Sequence, residues 1–385
     1  MSGLPLTSDY TAAASIVTIP DAPALQPVAQ GSTQDALVVS WTAPGGQLSP
    51  ITGYVLERSL NGIDGWTAVP TAGTGTSVTD SGLAFLTTYH YRVATLTSVG
   101  QSAWSAAQSA TTGLEGPASA TAAASTSGAS VTVTWTAVPT VTAYEVARSD
   151  GATFVAPGTS LSASETGLSY LDATVAFGTT YTYAVRAILG GTQSGWTVTN
   201  PVTTIPAAPS GLVVTSTTAG ASDATVNLAW SAQAGATGYV VQRSSDAGFT
   251  APVAVTAIDQ ATASDMNLPF VTTYYYRVAG TNATGQSAWS MPVQVTTPLG
   301  APTGLTASDS TTPPVSVTLA WTGNGATGSY EVRRSVGSTF DPGTATLVYA
   351  GLDATTTDTG AAAGTTYTYG VKGLTPGGAV SSAWT

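Results

Sequence analysis

Four short runs, VVSW, VTVTW, NLAW and VTLAW, alternate apolar and polar residues and close on Trp41, Trp135, Trp230 and Trp321. Alternation with period two sends one set of side chains into a core and the other to water. Each run therefore predicts a half-buried strand. A second strand follows in each case, GYVLERS, AYEVARS, GYVVQRS and SYEVRRS, built on Tyr54, Tyr144, Tyr239 and Tyr330. A third, rich in tyrosine, carries Tyr89, Tyr181, Tyr274 and Tyr367, and a further Trp then recurs at Trp104, Trp196, Trp289 and Trp384. Asn61-Gly62, Asp150-Gly151 and Asn324-Gly325 mark turns. No segment sustains a helical period.

The marker tryptophans are spaced by 94, 95 and 91 residues, so the chain repeats itself. Pro-containing linkers, DAPALQP, EGPASA, AAPSGL and GAPTGL, open the units. The expected division is an arm at 1–20 and domains at 21–113, 114–205, 206–298 and 299–385.

The strand-closing Trp, the following Tyr-x-Val/Leu and a Leu-x(5)-Tyr corner together resemble tandem fibronectin type III domains. The corner is kept as Leu83…Tyr89 and Leu268…Tyr274, and weakened to Val175…Tyr181 and Ala361…Tyr367. The resemblance covers roughly 21–385. It implies an all-β chain of four seven-stranded sandwiches, and it is nearly silent on function, because such sandwiches host many roles.

Eight of the nine basic residues fall on two strands. Arg58, Arg148, Arg243 and Arg334 follow the second-strand Tyr by four residues; Arg92, Arg186, Arg277 and Lys372 lie on the tyrosine-rich strand. The resemblance implies that these two strands are antiparallel neighbours, and cross-strand partners then have offsets that add to a constant. Glu57 with Arg92, Glu145 with Arg186, Gln242 with Arg277 and Glu331 with Lys372 satisfy that rule. Each pair is expected on the outer face, worth ~0.2–1 kcal/mol. The recurring Trp, expected to begin the last strand, could cover the cation. By these offsets the first and third units match, as do the second and fourth. This surface reads either as a structural ladder or as an aromatic platform for glycans.

Composition narrows the function. The net charge is −11 with nine dispersed basic residues, which argues against nucleic acid or an anionic membrane. Cysteine is absent, so neither disulfides nor thiolate chemistry is available. No run reaches the ~18 apolar residues of a membrane span. The one histidine, His90, is expected to point away from the core. The acids are scattered, many in turns (Asp64, Asp80, Asp150, Asp246, Asp341), which gives no catalytic pair. No metal or cofactor site is expected: the linkers offer only Asp21 and Glu115, too few for calcium. Asn282-Ala283-Thr284 is a glycosylation sequon.

One feature of the termini carries the first functional expectation. In three units the chain runs eight residues beyond the recurring Trp, to Thr112, Thr204 and Thr297, whereas one residue follows Trp384. Residues 10–18 resemble the missing strand G. A sandwich open at its edge accepts an added strand. Tyr10, Ala14, Ile16 and Thr18 are the expected donors, and Tyr367, Tyr369, Val371 and Trp384 the acceptors. The expectation is a non-enzymatic subunit of an extracellular or cell-surface filament, assembled head-to-tail from copies of itself. The alternative is a spacer or binding array of a larger secreted enzyme, adhesin or phage structural protein.

Overall fold

The computed structural model describes residues 16–46, 49–310 and 312–385. Among them every regular element is a strand, and all named pairings are antiparallel. The chain divides into two compact units: residues up to Ala122 with Thr132–Asp172 and Tyr181–Pro201, and Ala123–Val131, Ala173–Thr180 and Val202–Thr385.

In the first unit, Leu37–Thr42 pairs with Ser77–Asp80 and with two short pieces, Ala24–Leu25 and Ala29–Gln30. Pro27 separates those pieces because it has no N–H to give the ladder. The second sheet runs Thr67–Val69, Ile51–Ser59, Thr88–Thr97, with Gln108–Thr111 at its edge. Leu37, Val39, Trp41, Tyr54, Leu56, Tyr91 and Val93 fill the space between. The same order recurs as Thr159–Glu165, Ala143–Asp150, Thr180–Leu189.

In the second unit, Val213–Ala219, Ala224–Ala229 and Thr262–Leu268 oppose Val253–Ile258, Gly238–Ser244, Thr273–Thr281 and Val293–Thr296. The last repeat has Thr303–Asp309, Val317–Thr322 and Thr355–Asp358 against Thr346–Gly351, Ser329–Val336 and Tyr367–Leu374. There Val371 and Thr385 exchange both main-chain hydrogen bonds. The edge at Tyr367–Tyr369 has no partner strand among the described residues, and Tyr369 is half-buried where Tyr276 is fully buried.

The core tryptophans meet the second-strand tyrosines edge to face; Trp41–Tyr54, Trp230–Tyr239 and Trp321–Tyr330 have centroids 5.3, 5.4 and 5.3 Å apart. At the corner, the Tyr89 hydroxyl accepts from the Ala84 amide, and Tyr367 from Ala362, both at 3.1 Å.

The connecting segments are packed on both sides. In the first unit the Gly113 amide donates to the Gln34 carbonyl, Leu114 is buried, and the Thr197 hydroxyl donates to the Pro117 carbonyl at 2.6 Å. In the second unit Phe270 covers Gly300 so closely that an added Cβ would come within 2.4 Å of its ring. Leu299 is buried, and the Gly300 carbonyl accepts from Asn324 Nδ2 at 2.6 Å.

Candidate functional site

The outer face of the tyrosine-rich sheet carries one cation pair in each repeat. Glu57 and Arg92 are register partners, as are Glu145 and Arg186, Gln242 and Arg277, and Glu331 and Lys372. Each side-chain pair closes as the offsets predict. Arg92 donates from Nε and Nη2 to Glu57 at 2.9 and 2.6 Å, Arg186 to Glu145 at 2.8 and 2.6 Å, and Arg277 to Gln242 at 2.9 and 2.7 Å. Lys372 Nζ lies 3.0 Å from Glu331, whose other oxygen takes Arg333. Burial alone would raise the Glu331 carboxyl, but hydrogen bonds from Lys372 and Arg333, with their charges, outweigh it and hold the pKa down.

The recurring Trp covers each cation, with centroid distances of 4.3 Å for Trp104, 4.3 Å for Trp196, 4.5 Å for Trp289 and 4.8 Å for Trp384. A second aromatic joins from the preceding loop. Trp66 and Phe249 lie over Arg92 and Arg277, both at 4.2 Å, so these cations sit between two rings. Phe154 and Phe340 pack instead against Trp196 and Trp384 at 5.5 and 5.3 Å. The alternation of repeats seen in the offsets thus extends to the aromatic partner.

These tryptophans do not begin the last strand. Trp104, Trp289 and Trp384 lie outside any strand. The cause is a serine two residues earlier: Ser102, Ser194, Ser287 and Ser382 each accept with Oγ from a main-chain amide of the tyrosine-rich strand, at 2.9 Å. A hydroxyl takes the place of a main-chain carbonyl, so regular pairing resumes only further on. The repeated Ser-x-Trp was the available signal.

A second constellation was not foreseen. Asp80 is not a turn residue; it ends a strand and is buried. Arg58 reaches it at 2.7 Å and the Tyr91 hydroxyl donates to it at 2.8 Å. The same trio is formed by Arg148, Asp172 and Tyr183, by Arg243, Asp265 and Tyr276, and by Arg334, Asp358 and Tyr369. Each Asp precedes the corner Tyr by nine residues, a spacing visible in the sequence. The arrangement saturates the carboxylate and leaves no free acid or base.

Of the expected assembly residues, Tyr10 and Ala14 lie outside the described residues. Ile16 and Thr18 are exposed and in no strand. Tyr367, Tyr369 and Val371 share the last strand, and Trp384 lies over Lys372. His90 is half-buried on its strand, with its ring beside Gly62. Among the described residues, no three His, Cys, Asp or Glu side chains converge on a metal-sized site, and no helix is long and apolar enough to cross a membrane. In the sequon, Asn282 Nδ2 donates to the carbonyls of Thr204 and Gly235, at 2.9 and 3.2 Å, and the Thr284 hydroxyl to that of Thr203.

A family model described as "Fibronectin type III domain" matches residues 21–111. The chain carries fibronectin type III domains. One similar protein is Exoglucanase B of Cellulomonas fimi, 34% identical over 295 residues; the match covers 69% of this chain and 24% of that protein. The chain thus spans about a quarter of that relative's length. Among solved structures, the crystal structure of chicken CNTN1 FN1-FN3 domains is 16% identical, covering 73% of this chain and 99% of that one, at a TM-score of 0.29. In the fibronectin type III frame, the ladder and the Arg and Tyr of each trio use the same two central strands, whereas the trio's Asp comes from the opposite sheet.

Proposed function

We propose that the chain is a non-catalytic fibronectin type III spacer within a longer secreted protein that acts on glycans. The observation that carries this reading is the match over 295 residues to a minor part of an exoglucanase. What the ladder does supports it: every cation is already met by a carboxylate or amide oxygen and by an aromatic ring, which stiffens the sheet and leaves little for a ligand to displace. The packed connectors fit the same role. A spacer works by resisting bending, and glycines held under Gln34 and Phe270 leave the linker little freedom. An exoglucanase relative supports an extracellular setting.

The test is to incubate the purified chain with soluble and insoluble β-glucans. Neither hydrolysis nor retention on the insoluble glucan is expected. Retention abolished by Trp104→Ala would turn the ladder into a glycan platform and overturn the inert-spacer reading.

The head-to-tail filament is not proposed. The uncovered edge at Tyr367–Tyr369 would be closed equally well by residues following Thr385 in a longer protein, so it does not favour a second copy.

A further inference from the structure

The chain has two Asn-Gly pairs, Asn61-Gly62 and Asn324-Gly325, and the fold treats them oppositely. Such pairs can lose ammonia. The main-chain nitrogen of the glycine attacks the Asn Cγ, a new N–Cγ bond forms, and the Cγ–Nδ2 bond breaks. Ammonia departs, carrying the proton given up by the glycine amide. Water then opens the cyclic imide at one carbonyl or the other, leaving aspartate or isoaspartate. The reaction needs a glycine amide free of other bonds, space to rotate, and access for water.

At Asn61 the first two conditions fail. The Gly62 amide donates to Ser59 Oγ at 3.2 Å, and an added Cβ on Gly62 would lie 2.9 Å from the His90 ring. Asn61 Oδ1 is fixed by the amides of Ile63 and Asp64, and Nδ2 donates to Asp64 at 2.6 Å. The loop is closed on itself.

At Asn324 the glycine amide is free and open to water. Gly325 is exposed, its amide has no hydrogen-bond acceptor among the described residues, and nothing lies within 4 Å of its missing side chain. Asn324 Oδ1 accepts from the Ala326 amide and the Thr327 hydroxyl, both at 3.1 Å. Those bonds must open for Cγ to turn toward the Gly325 amide, so the contrast with Asn61 lies in the glycine amide. Nδ2, the group that leaves, is the donor to the Gly300 carbonyl.

We infer that Asn324 is a site of spontaneous modification, deamidation to aspartate and isoaspartate, and that it acts as a slow release on the connector at Gly300. The product carries a carboxylate facing the Gly300 carbonyl, an acceptor against an acceptor, in place of a hydrogen bond. The chemistry itself does not depend on the spacer reading.

The test is to age the 385-residue chain at mildly alkaline pH and map its peptides by mass spectrometry. Asn324 is expected to gain one mass unit and isoaspartate several-fold faster than Asn61, with the two rates converging in denaturant. Ser59→Ala, which frees the Gly62 amide, should speed Asn61 and leave Asn324 unchanged. An Asn61 rate equal to or above that of Asn324 in the folded chain would overturn the inference. So would an intact Asn324, or a Ser59→Ala chain that ages like the parent while its circular dichroism stays native. Asn324→Asp should raise hydrogen exchange around Gly300; unchanged exchange would refute the release.

Discussion

Val271 and Gly364 occupy the same place, three residues before the corner tyrosine, and both adopt the left-handed backbone, with φ of 50° and 71°. Leu86 and Gly178 complete the set at 50° and 61°. The corner demands this conformation whatever the residue, and a β-branched side chain tolerates it poorly. Left-handed backbone costs an L-residue ~1–2 kcal/mol, and glycine returns ~0.5–1 of that as unfolded-state entropy. Val271→Gly should therefore stabilise its repeat by roughly 0.5–1 kcal/mol. A urea midpoint that falls instead would show that the side chain's packing outweighs the strain.

The Arg–Asp–Tyr trios predict the largest losses. Asp172 is 1% exposed and serves both Arg148 and Tyr183. Replacing it with Ala strands a mostly buried guanidinium and a hydroxyl, at ~3–5 kcal/mol. Tyr183→Phe removes one hydrogen bond and should cost ~1–2 kcal/mol. Chemical denaturation of the two variants checks the order; equal costs would contradict it.

Alkaline pH should find the same groups. Burial first, and then the hydrogen bond to the Asp, push the hydroxyls of Tyr91, Tyr183 and Tyr276 well above their usual range. A raised folded value means the native state holds its proton more tightly. The stabilisation is therefore complete below the unfolded value of ~10 and is lost as pH rises beyond it. A spectrophotometric titration should show these tyrosines ionising together with unfolding, and native ionisation near the ordinary value would disprove it.

The ladder predicts a measurable coupling. A double-mutant cycle of Trp104→Ala and Arg92→Met should give an interaction of ~0.5–1 kcal/mol, since the pair is only partly screened from water. It should fall little with salt if ring polarisation rather than ion pairing dominates. Absence of coupling would reduce the stack to coincidence.

The ladder was legible because antiparallel register is arithmetic: once two strands are neighbours, offsets that add to a constant name the partners, and Glu57–Arg92 through Glu331–Lys372 all obeyed. Asp80 was not legible by its surroundings. Thr79, Ser81 and Gly82 make it look like a turn, and its partners lie 22 and 11 residues away in sequence. Only comparison across repeats, through the constant nine-residue interval to the corner, would have lifted it out. The tryptophans were misplaced by a few residues for a different reason. Strand propensity carries no information that Ser102 Oγ will take the place of a main-chain acceptor.

The stiffness of paired repeats is the claim on which the spacer reading turns, and the absence of cysteine makes it simple to measure. Spin labels on Thr79→Cys and Thr132→Cys, both exposed and both in the first compact unit, report the distance between its two repeats by pulsed electron resonance. One narrow distance distribution is predicted, unchanged in moderate salt. A broad or multimodal distribution would show a flexible joint at Gly113 and contradict the account.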